Sequence, residues 1–302
     1  MPGAPLATSS QIFDRALIRA RQRRAAALGP VTFLLDRVAD EFADRLGVVT
    51  RRFDVAADLG TPGDAIADAL SRSPSIGTVI RSGFAGDAQQ NTIGADEEAL
   101  PFRDGSLDLI VSGLALQFVN DLPGVLVQIR RALKPDGLLL AALFGGETLT
   151  ELRQAFAAAE SEREGGASPR VAPFADLREL GALLQRAGFA LPVTDVDRVT
   201  VRYGSAFDLM RDLRHMGATN ALLARRRTPL RRATLLRMAE VYAERFADPG
   251  GRLRATFEIV WLSGWAPHPD QQKPLQPGSA KTRLADALGT REIAADEKPS
   301  EG

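Results

Sequence analysis

Asp58-Leu59-Gly60-Thr61-Pro62-Gly63-Asp64 sets a carboxylate and two glycines directly behind the short apolar run Val55-Ala56-Ala57. A carboxylate in that position can meet a cationic ligand group, and the glycines let the backbone approach a ligand with no Cβ in the way. Open parallel sheets bind nucleotide-like cofactors at the carboxyl ends of their strands, where loops diverge and helix N-termini point inward. A cofactor with a cationic amino-acid end, such as S-adenosylmethionine (SAM), suits an acid there. A second acidic turn, Asp96-Glu97-Glu98-Ala99-Leu100-Pro101-Phe102, falls where an adenine ring would lie. An acid-glycine turn after a strand is also common structural punctuation, so the loop alone assigns no activity.

Other chemistries are poorly supplied. Cysteine is absent, which excludes disulfides, thiolate metal sites and a cysteine nucleophile together. The two histidines, His215 and His268, stand far apart with no carboxylates at ligand spacing, so neither an imidazole metal site nor a Ser-His-Asp triad is expected. With 38 basic and 38 acidic residues the formal net charge is zero, and no global electrostatic case for nucleic acid exists. Apolar runs such as Leu138 to Phe144 are far short of the ~20 residues of a membrane span. No transmembrane segment is expected, and the chain reads as cytoplasmic. Arg15, Arg19, Arg21, Arg23 and Arg24 imitate a transit peptide. Only four of the 38 basic residues are lysine, however, so arginine bias is a property of the whole chain.

The loops need elements to hold them. Phe33, Leu34, Val38, Phe42 and Leu46 predict an amphipathic helix over Thr32 to Val48, by their helical spacing. Short strands are expected at Val55 to Gly60, Gly77 to Ile80, Asn91 to Asp96, Leu107 to Ser112 and Leu138 to Phe144. Helices are expected at Gly63 to Leu70 and at Pro123 to Leu133, the second ending in the turn Lys134-Pro135-Asp136-Gly137. Strands alternating with helices imply a parallel sheet covered on both faces. Later come helices at Thr148 to Arg163 and Phe174 to Ala187, then a strand at Val193 to Val201. A mostly helical stretch from Ser205 to Phe246 interrupts the sheet, and Thr256 to Gly264 is a last strand pairing antiparallel with Val193 to Val201. The expected organisation is an N-terminal helical segment over 1–50, an α/β domain over 51–265 with a helical insertion at 205–246, and a proline-rich, disordered tail over 266–302.

The ordered motifs resemble those of class I SAM-dependent methyltransferases: Asp58-Leu59-Gly60, Ala95-Asp96-Glu97-Glu98 with Leu100-Pro101-Phe102, Ser106 to Ser112, and Leu133-Lys134-Pro135-Asp136-Gly137. Among these, the chain most resembles the NADH dehydrogenase (complex I) assembly factor 5 family, itself similar to the malonyl-carrier-protein methyltransferase of biotin synthesis. The discriminating stretches are Ile12-Phe13-Asp14-Arg15, Phe144-Gly145-Gly146-Glu147-Thr148-Leu149, Ala159 to Gly166, Arg186-Ala187-Gly188-Phe189, and Leu209 to Leu213 with Met216-Gly217. The resemblance spans roughly residues 10 to 285. It implies a Rossmann-like sandwich with a mostly parallel seven-stranded sheet, an antiparallel edge hairpin and a helical insertion. It also implies a role in respiratory complex I assembly through arginine hydroxylation on a partner subunit. A catalytic chain would hold SAM against Asp58, Leu59, Gly60 and Gly63 and against Asp96 and Glu97, with Ser112 toward the transferred group.

The chain departs from the family pattern at several positions. Pro62 and Asp64 stand where the family loop has glycine, the second strand carries no ribose-gripping acid from Thr78 to Gly86, with Asp87 the first candidate, and Gln117-Phe118 replaces a histidine-aromatic pair. Three readings therefore stand: an assembly factor of this type, a non-catalytic scaffold with a degenerate SAM site, and a carboxyl methyltransferase acting on a carrier protein or small molecule. A nicotinamide dehydrogenase is disfavoured, since the loop lacks G-x-G-x-x-G. Arg225 to Arg232 is the densest basic stretch, read either as a solvated helical face balanced by Glu240 and Glu244 or as a dock for an acidic protein or an anionic membrane. Glu160 to Gly166 is either a helix cap or a lid over the cleft. Trp261 and Trp265 read as packing residues.

Overall fold

A computed structural model describes residues 11–83 and 91–271, together with 286, 289 and 290. Helix α1 (Arg15–Leu28) begins where the Asp14 side chain accepts the Leu17 amide, and α2 (Phe33–Gly47) buries Leu34, Val38, Phe42 and Leu46 along one face. The chain then runs β1 (Phe53–Leu59), α3 (Ala65–Arg72), β2 (Ile76–Gly83), β3 (Thr92–Gly94), β4 (Leu107–Gly113), α4 (Leu122–Ala132) and β5 (Leu133–Phe144). It continues through α5 (Thr150–Glu164), α6 (Leu177–Arg186), β6 (Ala190–Tyr203), α7 (Ala206–His215), α8 (Arg232–Phe246) and β7 (Leu253–Trp265). Asp176 and Glu179 close a reciprocal capping box at the start of α6. Such a box satisfies two amides that a helix start otherwise leaves open.

One seven-stranded sheet has the order β3-β2-β1-β4-β5-β7-β6. The pairs among β1 to β5 are parallel, and β7 is antiparallel to both β5 and β6. Strand order reverses between β1 and β4, which opens a crevice at their carboxyl ends. Alternate strand residues face opposite layers. Ala56, Leu109 and Leu138 pack toward α2, α3, α5 and α8, whereas Ala57, Ile110 and Leu139 pack toward α4 and α6. Each large side chain buried in this way contributes roughly 1.5–3 kcal/mol. Trp261 is buried edge-on to Phe42 at 5.5 Å, with the Arg45 guanidinium 4.9 Å from its ring centroid.

Two sequence expectations are corrected. Lys134-Pro135-Asp136-Gly137 is not a free turn after α4 but the start of β5, where the register against β4 shifts between Leu107 and Leu109. Asp136 absorbs the irregularity at φ 63°, and Lys134 Nζ donates to both Asp108 carboxylate oxygens at 2.9 Å. Arg225 to Arg231 forms no helical face, because α8 begins only at Arg232. Arg225 pairs with Asp14 and Arg226 with Glu164, while Glu240 and Glu244 pair with Arg237. The chain divides after Pro267 into two units, and the sheet with its covering helices belongs to the first. Asp87 and most of the proline-rich tail, including Pro277-Gly278-Ser279-Ala280, lie outside the described residues.

Candidate functional site

Asp58, next to last in β1, is buried at 2% exposure. Its Oδ1 accepts the Thr61 hydroxyl, and Thr61 Oγ1 in turn accepts the Gly113 amide at 2.9 Å, tying the loop to β4. Its Oδ2 has no hydrogen-bond partner among the described residues. Burial pushes the Asp58 carboxyl up to about 7, against the lowering effects of the Thr61 hydroxyl and the Arg81 guanidinium. A buried carboxylate oxygen without a donor is costly. Asp58 borders a cleft of about 210 Å³, so a cationic donor arriving in the cleft can relieve that cost.

The cleft lies at the ends of β1, β2 and β4, beside Gly60 to Gly63 and Arg81 to Gly83. Its roof consists of α1, through Arg19, Gln22 and Arg23, and of His215 to Ala218 at the end of α7 and in the turn after it. Gly217 makes that contact feasible: its φ is +69°, and a Cβ there would stand 3.1 Å from the Gln22 Cα. His215 Nδ1 is 2.8 Å from the Gly29 carbonyl, which fixes the ring against the turn after α1.

The residues expected at the site divide. Asp58, Gly60 and Gly63 border the cleft, and the space beside the Gly63 Cα is open. Leu59 is buried and contributes a carbonyl, which accepts the Ser112 hydroxyl at 2.7 Å. Ser112, expected toward the transferred group, is wholly buried by that inter-strand bond and does not border the cleft. Asp96 and Glu97 are captured by α1. Arg15 Nη2 lies 2.8 Å from Asp96 and also pairs with Glu97, and Arg19 pairs with Asp96. The Glu97 carboxylate rests on Gly60, where an added Cβ would stand 2.5 Å from its Oε1. Burial raises the Glu97 carboxyl against the pull of Arg15. For Asp96 the burial effect is outweighed by the Glu98 amide, Arg15 and Arg19, so its carboxyl is held low.

Pro62 and Asp64 also acquire surroundings. Arg81, at the end of β2 where a ribose acid was sought, donates to the Gly63 carbonyl and pairs with Asp64. The Asp64 substitution is therefore matched by a cation across the loop. Gln117 is buried, with Nε2 donating to the Leu114 carbonyl at 2.7 Å. Glu160, in the segment offered as a lid, accepts from Ser168 and Arg170, and Gly165 caps α5 at φ 71°. Neither Glu160 nor Gly165 borders the cleft.

A second cavity of about 670 Å³ lies beyond Phe118, Phe144, His215 and Ala218, which border both spaces. An aromatic chain lines it: Phe13 to Phe118 at 5.8 Å, Phe118 to Phe174 at 6.4 Å, Phe174 to Phe144 at 5.9 Å and Phe144 to Phe257 at 6.1 Å between ring centroids. Sequence reasoning missed this cavity, Thr61, Arg81 and the roof of the cleft. The one available signal was Arg15, Arg19 and Arg23, spaced four apart and hence on one helical face.

Methyltransferase-domain proteins match over residues 64–141. The chain is 37% identical to the arginine-hydroxylase NDUFAF5, mitochondrial, of Danio rerio, over 95% of this chain and 92% of that protein. The Homo sapiens protein of the same name is 41% identical over 89% of this chain and 81% of its own length. The chain belongs to the NDUFAF5 arginine-hydroxylase family. The resemblance carried by its motifs is thereby borne out, as is the neighbouring one: a malonyl-[acyl-carrier protein] O-methyltransferase of Xylella fastidiosa (strain M23) is 42% identical over 57% of this chain and 56% of that protein. A solved methyltransferase structure from Bacillus halodurans C-125 superposes with a TM-score of 0.52 at 15% identity, over 76% of this chain and 98% of that one. The fold of this NDUFAF5-family chain is thus the class I SAM-dependent methyltransferase sandwich.

Proposed function

We propose that this chain binds SAM in the cleft beside Asp58 and serves respiratory complex I assembly by modifying an arginine of a partner subunit. It would work in a bacterial cytoplasm, in peripheral contact with the inner membrane. No described helix is long and apolar enough to cross a membrane. The observation carrying the proposal is Asp58 itself, a residue bordering the cleft whose buried Oδ2 is unpartnered among the described residues. The SAM amino-acid end fits there, held by Asp58 and the open backbone at Gly63. Bound there, SAM would supply an electrophilic methyl group, the arginine nitrogen giving up a proton to solvent as the neutral thioether leaves; hydroxylation of the same arginine would instead draw on a separate oxidant. Asp58 orients the cationic end, while α1 and the turn after α7 exclude water above it, so positioning is the chain's own contribution.

The scaffold reading is favoured by a different observation. The acids expected to meet the adenosine, Asp96 and Glu97, are already paired with Arg15 and Arg19. One titration separates the two: purified chain with SAM, followed by heat of binding and by melting temperature. Saturation near 100 times the dissociation constant adds about 2.7 kcal/mol of stability. Micromolar binding supports the cofactor site; no heat and no shift at millimolar SAM leaves the scaffold. Mass spectrometry of a co-expressed partner subunit then distinguishes an added oxygen from an added methyl group on arginine.

A further inference from the structure

The larger cavity has a chemistry of its own. Its volume, about 670 Å³, lies within the roughly 300–1,000 Å³ of ligand sites. Phe118, Phe144, Phe156, Phe174 and Phe257 line its interior, and no aspartate or glutamate is among the described residues bordering it. Every ionisable side chain on its wall is a base: Arg170, Arg211, Arg214 and His215.

Two of those arginines are already engaged. Arg170 pairs with buried Glu160 and lies 5.4 Å over the Phe156 ring. Arg211 pairs with Asp208 at 2.6 Å, an i,i+3 contact with the arginine side chain 64% exposed. Solvent screens such a pair, so it holds the guanidinium weakly. Arg214 meets no carboxylate among the described residues. The cause lies in helix α7. Ala206, Leu209 and Leu213 anchor one face in the core, which turns Phe207, Met210, Arg211 and Arg214 toward the cavity. Phe207 remains 43% exposed there. One helical face thus presents apolar side chains followed by cations to the same space.

We infer that this cavity binds an amphipathic anion, an aliphatic chain ending in a carboxylate, with the chain against the phenylalanines and the carboxylate at Arg214 and Arg211. Apolar burial supplies the affinity and the guanidinium fork the orientation. A cationic head on the same chain meets no acid and three arginines. The aromatic faces attract cations weakly, and the face of Phe156 is already covered by Arg170. This ligand goes beyond the proposed modification of a partner arginine, since the cavity can fill whether or not SAM occupies the cleft.

The full chain is titrated calorimetrically with laurate and dodecylguanidinium below their micelle concentrations and with dodecanol below its solubility limit, and Arg214→Gln is titrated alongside. Laurate is expected to saturate and to bind about tenfold or more tighter than dodecylguanidinium. Arg214→Gln should weaken laurate about tenfold and leave dodecanol within about twofold. The Arg214 side chain is exposed, so an unchanged melting temperature is expected and shows that the variant is folded. Absence of laurate saturation, equal or tighter binding of dodecylguanidinium, or an Arg214→Gln variant that binds laurate unchanged would each overturn the assignment. The SAM titration is a separate experiment, so either result stands without the other.

Discussion

Asp58 borders the cleft, accepts the Thr61 hydroxyl on one oxygen and keeps the other buried and unpartnered among the described residues, which makes its protonation a handle on both stability and binding. Its carboxyl ionises at about 7 in the folded chain, against an ordinary value of 3.8. Between those pH values the folded state holds a proton that the unfolded state has lost, so stability falls as pH rises through the window. A cationic ligand prefers the ionised carboxylate, so SAM affinity rises across the upper part of the same window. Asp58→Asn is expected to flatten both dependences and to weaken SAM about tenfold to a hundredfold above neutrality. Urea melts and calorimetry at pH values on either side of 7 measure the two effects. Asp58, Gly60 and Gly63 were legible because a strand followed by an acid and glycines is a local pattern. The fates of Asp96, Glu97 and Ser112 were not, because each is decided by a partner distant in sequence: Arg15, Arg19 or the Leu59 carbonyl.

Helix α1 illustrates an element held more by polar ties than by its own burial. Only Ile18 and Ala25 of its residues are buried. Arg21 donates to the Thr219 carbonyl at 2.7 Å, and the Asn120 side chain accepts the Ile12 and Phe13 amides at 2.8 Å just ahead of the helix. Arg15→Ala would leave Glu97, 4% exposed, without its cation. A buried charge stripped of its partner costs about 3–5 kcal/mol. The double variant with Glu97→Gln is expected to recover much of that loss, and a denaturant double-mutant cycle reads the coupling. The arginine spacing at 15, 19 and 23 announced a helical face, but the arginine-rich composition concealed its purpose. Lys134 to Gly137 misled in the opposite direction. Proline and glycine announce a turn, and the pairing of the flanking Leu133 with Leu107 and Leu138 with Leu109 converted it into a strand bulge.

Across the whole molecule, the alternation of strands and helices made the doubly covered sheet readable, because each element carries its own period. The larger cavity was unreadable, since Phe13, Phe118, Phe144, Phe174, Phe207 and Phe257 come from separate segments. Strand β7 closes the sheet by entering between β5 and β6. A chain cut after Gly251 therefore lacks the strand that joins them, and it is expected to lose cooperative thermal unfolding by calorimetry and circular dichroism. The same topology governs synthesis. Leu138 to Phe144 presents an unpaired apolar edge from the moment it is made, and β6 ends at Tyr203, 50 residues before β7 begins at Leu253. At about 5–20 residues per second the nascent chain carries that open edge for roughly 3–10 s after β6 is complete. A sticky sheet border exposed for seconds is a natural client for a holding chaperone at the ribosome, and synonymous codons that slow translation between 203 and 253 should lower the soluble yield.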